Sequence, residues 1–178
     1  MTESYRLATR LVGVADCGVS ADINDSFTAY ALGSCIAVTA YDPIARVGGL
    51  LHFLLPEQTA DAGRGRDNPF VCADTGIPEL IDRCVRSGAV KRRLRVYAAG
   101  GASVVKDAAM FDVGRRNHLS LRRVLWKAGL LLQGEAIGGD CWRNVRLELA
   151  TGKVWVKEGS LPDMELSAGS FKRQERQQ

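Results

Sequence analysis

The chain has 178 residues, 46% of them hydrophobic and 25% charged, with a formal net charge of +4. These proportions belong to a soluble globular protein with a sizeable core and exclude a disordered or fibrous chain. No apolar run approaches the roughly 18–20 residues of a membrane span, and the opening MTESYRLATR lacks the apolar stretch of a secretory signal, so the sequence predicts a cytoplasmic protein with no membrane insertion.

In chain order, a first strand fits residues 7–15 and a second residues 27–32. Gly33-Ser34 breaks the run. Residues 36–41 alternate in the β manner, with Ile36, Val38 and Ala40 on one face, and residues 47–55 form another strand. DPIAR at 42–46 is a turn signal between them. The polar segment 57–69 reads as a loop. Ile77, Leu80, Ile81, Cys84 and Val85 fall at helical spacing, which predicts a helix over 77–87 that Gly88 ends. A strand over 94–98 runs into Gly100-Gly101-Ala102, a tight strand exit. A second helix is expected over 119–128, with Asn117 as its cap and Gly129 as its stop. Residues 130–137, 145–149 and 154–156 read as closing strands, the last two joined by the turn ATGK.

The sum is an α/β (α+β) domain over residues 1–160: a layered sandwich of mixed, largely antiparallel β-sheet covered by two or three helices. A doubly wound parallel sheet would need more helices. Residues 161–178 are expected to be a flexible tail.

Five cysteines and two histidines limit the chemistry. No C-x-x-C pair exists, so zinc-ribbon and thioredoxin readings have no support, and in a reducing compartment the thiols stay free. No metal-ligand cluster or catalytic carboxylate spacing is present, and no cofactor is expected. Basic clusters at 91–95, 115–116 and 122–123 form a solvated surface or meet an acidic partner. Aromatics are not interleaved with them, so nucleic acid is not indicated. His118, beside the expected helix start, reads as a surface or capping histidine.

Cys35 and His52 need closer reading. If Asp42–Ala45 is a four-residue hairpin loop, Tyr41 pairs with Arg46, and the same ladder sets Cys35 opposite His52, with Cβ atoms about 4.5–5.5 Å apart. A free thiol is mostly protonated at neutral pH, and an adjacent imidazole can take its proton, so the pair would serve as nucleophile and base. Yet Cys35 beside Ile36, and His52 among Leu50, Leu51, Phe53 and Leu54, are also what two packing residues look like. Spacing leaves both readings open. The short spacing and the order do not suit a papain-like protease.

LGSCIAVTAYDP at 32–43, followed by GGLLHFLLP at 48–56, resembles the signature of the CheD family of chemoreceptor glutamine deamidases in chemotaxis. The resemblance continues at LRVYAAGGASV (94–104), FDVGRRN (111–117) and GGDCWRNVRLELATGKVWVK (138–157). It implies Cys35 as nucleophile, His52 as base, and hydrolysis of glutamine side chains on chemoreceptor cytoplasmic helices without a cofactor; with no long exposed seam in the sequence, a monomer is expected. It also implies a possible second partner, a CheC-type phosphatase, and with it an alternative function as a weakly catalytic or non-catalytic adaptor. The family's third catalytic residue is a threonine six residues before the cysteine, and Ala29 stands there. Thr28 brought round by a bulge, Ser26 or Ser34 are the candidates for that role. Cys141-Trp142 also departs from the family's small or polar residues.

Overall fold

Alternation along two central strands decides the layers. The computed structural model describes residues 8–58, 67–103 and 108–174, with side chains at all of these except 108–112 and 171–174. In chain order the elements are β1 (Ala8–Leu11), β2 (Asp16–Ser20), β3 (Asp25–Leu32), β4 (Ile36–Asp42), β5 (Val47–Phe53), α1 (Ala73–Arg86) and β6 (Arg95–Gly100). They continue as α2 (Ala108–Lys127), β7 (Leu132–Gly138), β8 (Arg143–Glu148), β9 (Val154–Glu158), β10 (Met164–Glu165) and β11 (Phe171–Gln174). Every residue of β4 and β5 is buried. Ile36, Val38, Leu51 and Phe53 join Ile77, Leu80, Leu121 and Leu125 in a core beneath the two helices. Ala37, Tyr41 and Leu50 point the other way and meet Phe27, Val145, Leu147 and Val156.

The protein is therefore a layered α+β fold, with the expected sheet divided in two. An inner sheet has the order β11-β7-β6-β4-β5-β2, and an outer sheet the order β1-β3-β8-β9-β10. Both are mixed: β1 runs parallel to β3, and β7 runs parallel to β6 and β11. The remaining ladders are antiparallel. The helices cover one face of the inner sheet, and the outer sheet covers the other.

Several boundaries differ from expectation for local reasons. The first predicted strand, whose Leu7 lies outside the described residues, is shorter than expected: β1 ends at Leu11, and β2, which the sequence reading did not include, starts at Asp16 in the other sheet. Ala15 divides them with a left-handed φ of 56°. Helix α1 begins before Ile77 because it absorbs Pro78, which near the start of a helix removes one backbone bond. Helix α2 begins at Ala108, so Asn117 lies inside it and is not a cap. Gly114, inside the helix, is a glycine because a Cβ there would press on the Gly101 carbonyl oxygen. Past Ser160, where a frayed tail was expected, β10 pairs with β9 and β11 with β7, and Leu166 is buried.

Asp42 closes β4 and is fully buried. Its carboxylate accepts the N–H groups of Ile44 and Ala45, which turns the chain into β5, and that of Val90 at 2.7 Å. The Arg93 guanidinium donates to it, also at 2.7 Å. Burial alone would raise this carboxyl. Arg93 and the three N–H donors outweigh burial and hold it far below the usual carboxylate range. A depressed folded pKa contributes stability above the unfolded pKa and loses it as pH falls towards the folded one. Asp42→Asn is expected to cost about 2–4 kcal/mol in urea titration at pH 7. That gap should shrink as pH drops below about 4. A gap unchanged between pH 7 and pH 3 would remove the carboxylate from this role.

Candidate active site

The turn Gly33–Cys35 links β3, in the outer sheet, to β4, in the inner one. It is held from β6. The Gly101 N–H donates to the Cys35 carbonyl and the Ala102 N–H to the Gly33 carbonyl, each at 2.8 Å. Gly100, at φ 123°, runs so close to the turn that a Cβ there would overlap the Cys35 carbonyl oxygen. The GGA segment is thus the tight strand exit expected of it, and its neighbour is the candidate nucleophile.

The hairpin register is not the expected one. Asp42 pairs with Val47, so the four-residue loop is Pro43–Arg46, one position later than assumed, and His52 lies opposite Ala37. The cause is the Asp42 carboxylate, which caps the turn from a residue that stays in the ladder. Cys35 is therefore the diagonal neighbour of His52. In a regular ladder such residues lie about 7–8 Å apart and share a face, within reach of a ring. They do share a layer: His52 alternates with Leu50 towards the outer sheet, and half-buried Cys35 packs against the core between the sheets.

The His52 ring is 2% exposed, and neither nitrogen makes a hydrogen bond. Burial pushes its pKa down, opposed by the nearby Val12 backbone and the Asp16 carboxylate. Burial pushes the Cys35 thiol up, opposed by its own backbone N–H. Both shifts favour a neutral thiol beside a neutral imidazole.

Asn117 aligns the two segments. It is fully buried on α2, and its Nδ2 donates to the Ser34 carbonyl at 2.9 Å and the Leu54 carbonyl at 2.7 Å. One amide thus ties the residue before Cys35 to the chain just after His52. Ser120, one turn on, donates to the Pro56 carbonyl at 2.6 Å. From the outer sheet, the Arg143 side chain is 1% exposed and donates to the Gly138 carbonyl at 2.6 Å and to Glu158 at 3.0 Å. It thereby pins the strand end next to Gly100. Sequence reading missed these roles, although both residues sit on apolar faces. Asn117 shares a helical stripe with Leu121 and Val124, and Arg143 alternates with buried Val145 and Leu147.

The candidates for the third role fall out as follows. Phe27 and Ala29 point into the layer between the sheets. Strand alternation therefore turns Ser26 and Thr28 to the opposite face. Ser26 there donates to Thr9 at 3.3 Å, and the Thr28 hydroxyl is buried without a partner. A bulge does exist, between Ala29 and Leu32 with Ala31 at φ 56°, but it leaves Ala29 inward and Thr28 outward. Ser34 sits next to Cys35, with its carbonyl held by Asn117. His118 is neither a cap nor free: inside α2, its Nε2 lies 2.7 Å from Glu135, which Arg122 also meets.

Fold and site together define a layered α+β protein in which Cys35 and His52 lie on the same side of a doubly covered sheet. Residues 54–158 match the family model described as CheD chemotactic sensory transduction. A protein of Solibacter usitatus (strain Ellin6076), described as a probable chemoreceptor glutamine deamidase CheD, is 53% identical over 148 residues, which is 83% of this chain and 88% of that protein. One of Syntrophus aciditrophicus (strain SB), described as a probable chemoreceptor glutamine deamidase CheD 1, is 45% identical over 156 residues, 88% of this chain and 98% of its own. A third, from the archaeon Thermococcus kodakarensis, is 40% identical over 151 residues, 84% of this chain and 92% of its own. The chain belongs to the CheD family.

Asn117→Ala is expected to cost about 1–3 kcal/mol in denaturant titration, because two carbonyls lose their donor. Asn117→Asp sets a carboxylate against those carbonyls and should cost more. A milder loss for aspartate than for alanine would rule out the amide clamp.

Proposed function

We propose that this chain hydrolyses glutamine side chains of chemoreceptors to glutamate, with Cys35 as nucleophile and His52 as base and acid. The observation that carries this reading is the convergence of Cys35 and His52 into one layer, with Asn117 bonded to the backbone beside each. Relatives described as probable chemoreceptor glutamine deamidases supply the substrate class.

Because thiol and imidazole both rest neutral, the proton moves as the attack occurs and not beforehand. His52 takes the proton from Cys35 Sγ while the sulfur adds to the carboxamide carbon. Backbone N–H groups of the Gly33–Cys35 turn stabilise the oxyanion. The C–N bond breaks, and His52 returns the proton to the departing ammonia. Water, deprotonated by His52, then attacks the thioester. The C–S bond breaks, glutamate leaves, and the thiol is restored. The surrounding backbone carbonyls are fixed by Asn117, Gly101 and Ala102, so the turn needs no rearrangement to react. Among the described residues no helix is long and apolar enough to cross a membrane; the reading has a monomer acting on the cytoplasmic part of a receptor.

A second reading is an adaptor that binds receptors and a CheC-type phosphatase with little turnover. The inward alanine at position 29 favours it. The two separate when the protein is incubated with a receptor cytoplasmic fragment and glutamine-to-glutamate conversion is followed by mass spectrometry. Wild type should convert specific glutamines, Cys35→Ala none, and His52→Ala about 10²–10⁴-fold more slowly. The lowered His52 pKa places the acid limb of kcat/KM below pH 6.5, with activity retained through neutrality. Full activity in Cys35→Ala would overturn the mechanism. Wild type that binds the fragment or a CheC-type phosphatase but converts nothing would establish the adaptor.

A further inference from the structure

β2 is the edge strand beside β5, and its register sets Asp16 directly opposite His52. Residues directly opposite across an antiparallel ladder share a face, with Cβ atoms about 4.5–5.5 Å apart. The face can be checked two residues on, where a Cβ at Gly18 would run into the Phe27 ring of the outer sheet. Asp16 therefore lies on the same face of the inner sheet as His52, at its exposed edge.

The backbone is shaped to deliver this placement. Ala15 holds its left-handed φ of 56°, a strained conformation for a residue with a Cβ. Its N–H donates to the His52 carbonyl at 2.9 Å, and its carbonyl accepts from Asn68 Nδ2, also at 2.9 Å. The strain thus sits between Asp16 and the strand that carries His52. The Asp16 carboxylate accepts its neighbour's N–H, from Cys17, at 2.7 Å, so it is anchored at the strand edge. It acts on the ring through space and not through a bond. Of the two groups that act on the imidazole, the Val12 backbone and the Asp16 carboxylate, Asp16 is the one that carries a charge.

We propose that Asp16 is the positioning residue for His52, filling by charge the third role that Ala29 leaves without a hydroxyl. The proposal rests on the reading of His52 as the base. When the Cys35 proton reaches His52, an imidazolium forms in a buried site. The carboxylate across the ladder stabilises that cation without taking its proton. Asp16 is exposed, so the effect is screened by salt.

The test uses the full chain. It has two histidines, so His118→Gln assigns the His52 signal in an NMR pH titration. Asp16→Asn should lower the His52 pKa by about half a unit to one unit, and Asp16→Glu should leave it near wild type. With a receptor cytoplasmic fragment, Asp16→Asn should lower kcat about three- to thirtyfold at little change in KM, and Asp16→Glu should recover most of it. An unmoved His52 titration in Asp16→Asn overturns the proposal, as does a loss confined to KM. If His52→Ala keeps full activity while Asp16→Asn still moves the ring's titration, the base assignment fails and the catalytic role of Asp16 fails with it. The electrostatic pairing would then stand alone.

Discussion

The inner sheet has no face left for water. Helices α1 and α2 close one side and the outer sheet closes the other, so a side chain on β4 or β5 must be apolar, small, or held by a partner. The strands obey this closely: Ile36, Val38, Leu51 and Phe53 face the helices, and Ala37, Tyr41 and Leu50 face the outer sheet. Thr39, whose hydroxyl has no partner, and His52 are the exceptions. An imidazole buried there without a hydrogen bond costs stability, and nothing in the packing requires it. A leucine would fill such a place more cheaply. The same covering lowers the histidine's pKa and raises that of Cys35, so the constraint that isolates the site also sets its protonation.

A site at the end of a covered sheet has to be assembled from segments distant in sequence. Cys35 comes from the crossover between sheets, His52 from the next strand, and Asn117 from a helix that follows much later. Asn117 is where the assembly closes, since its one amide satisfies carbonyls at residues 34 and 54. Gly100 and Gly114 remove the side chains that would hold β6 and α2 away from the turn. Arg143 then draws the strand ends of the two sheets together. The family's glycine-rich and arginine segments gain a physical reason from this: they are the contact surfaces of the cysteine turn.

Much of this was legible in the sequence, and the failures share a cause. Period-two alternation at Ile36–Ala40 and helical spacing at Ile77–Cys84 were visible because burial on a face imposes them. The cysteine and histidine stood out by type and spacing. Their register did not, because one carboxylate moved the loop by a residue: Asp42 looks like a turn residue and caps the turn, yet it remains in the ladder. Asn117 looked like a cap because the apolar spacing placed the helix start just after it, whereas α2 begins at Ala108. The strands past Ser160 are short and owe their pairing to β9 and β7, which no local pattern announces.

The alanine at position 29 changes meaning with the geometry. From sequence it suggested that a neighbouring hydroxyl might be recruited, yet strand alternation turns Thr28 and Ser26 to the far face and the bulge does not reverse them. Another way to steady a buried imidazole is from the other flank of β5. There β2 offers a carboxylate in register. A hydroxyl would orient the ring by a bond, whereas a carboxylate at that position acts mainly on the charged form of the ring. Its benefit would appear when the imidazolium forms and hardly at all in the resting neutral pair. An arrangement of that kind leaves the free protein little changed and lowers the barrier, because the stabilisation grows with the charge that the reaction creates.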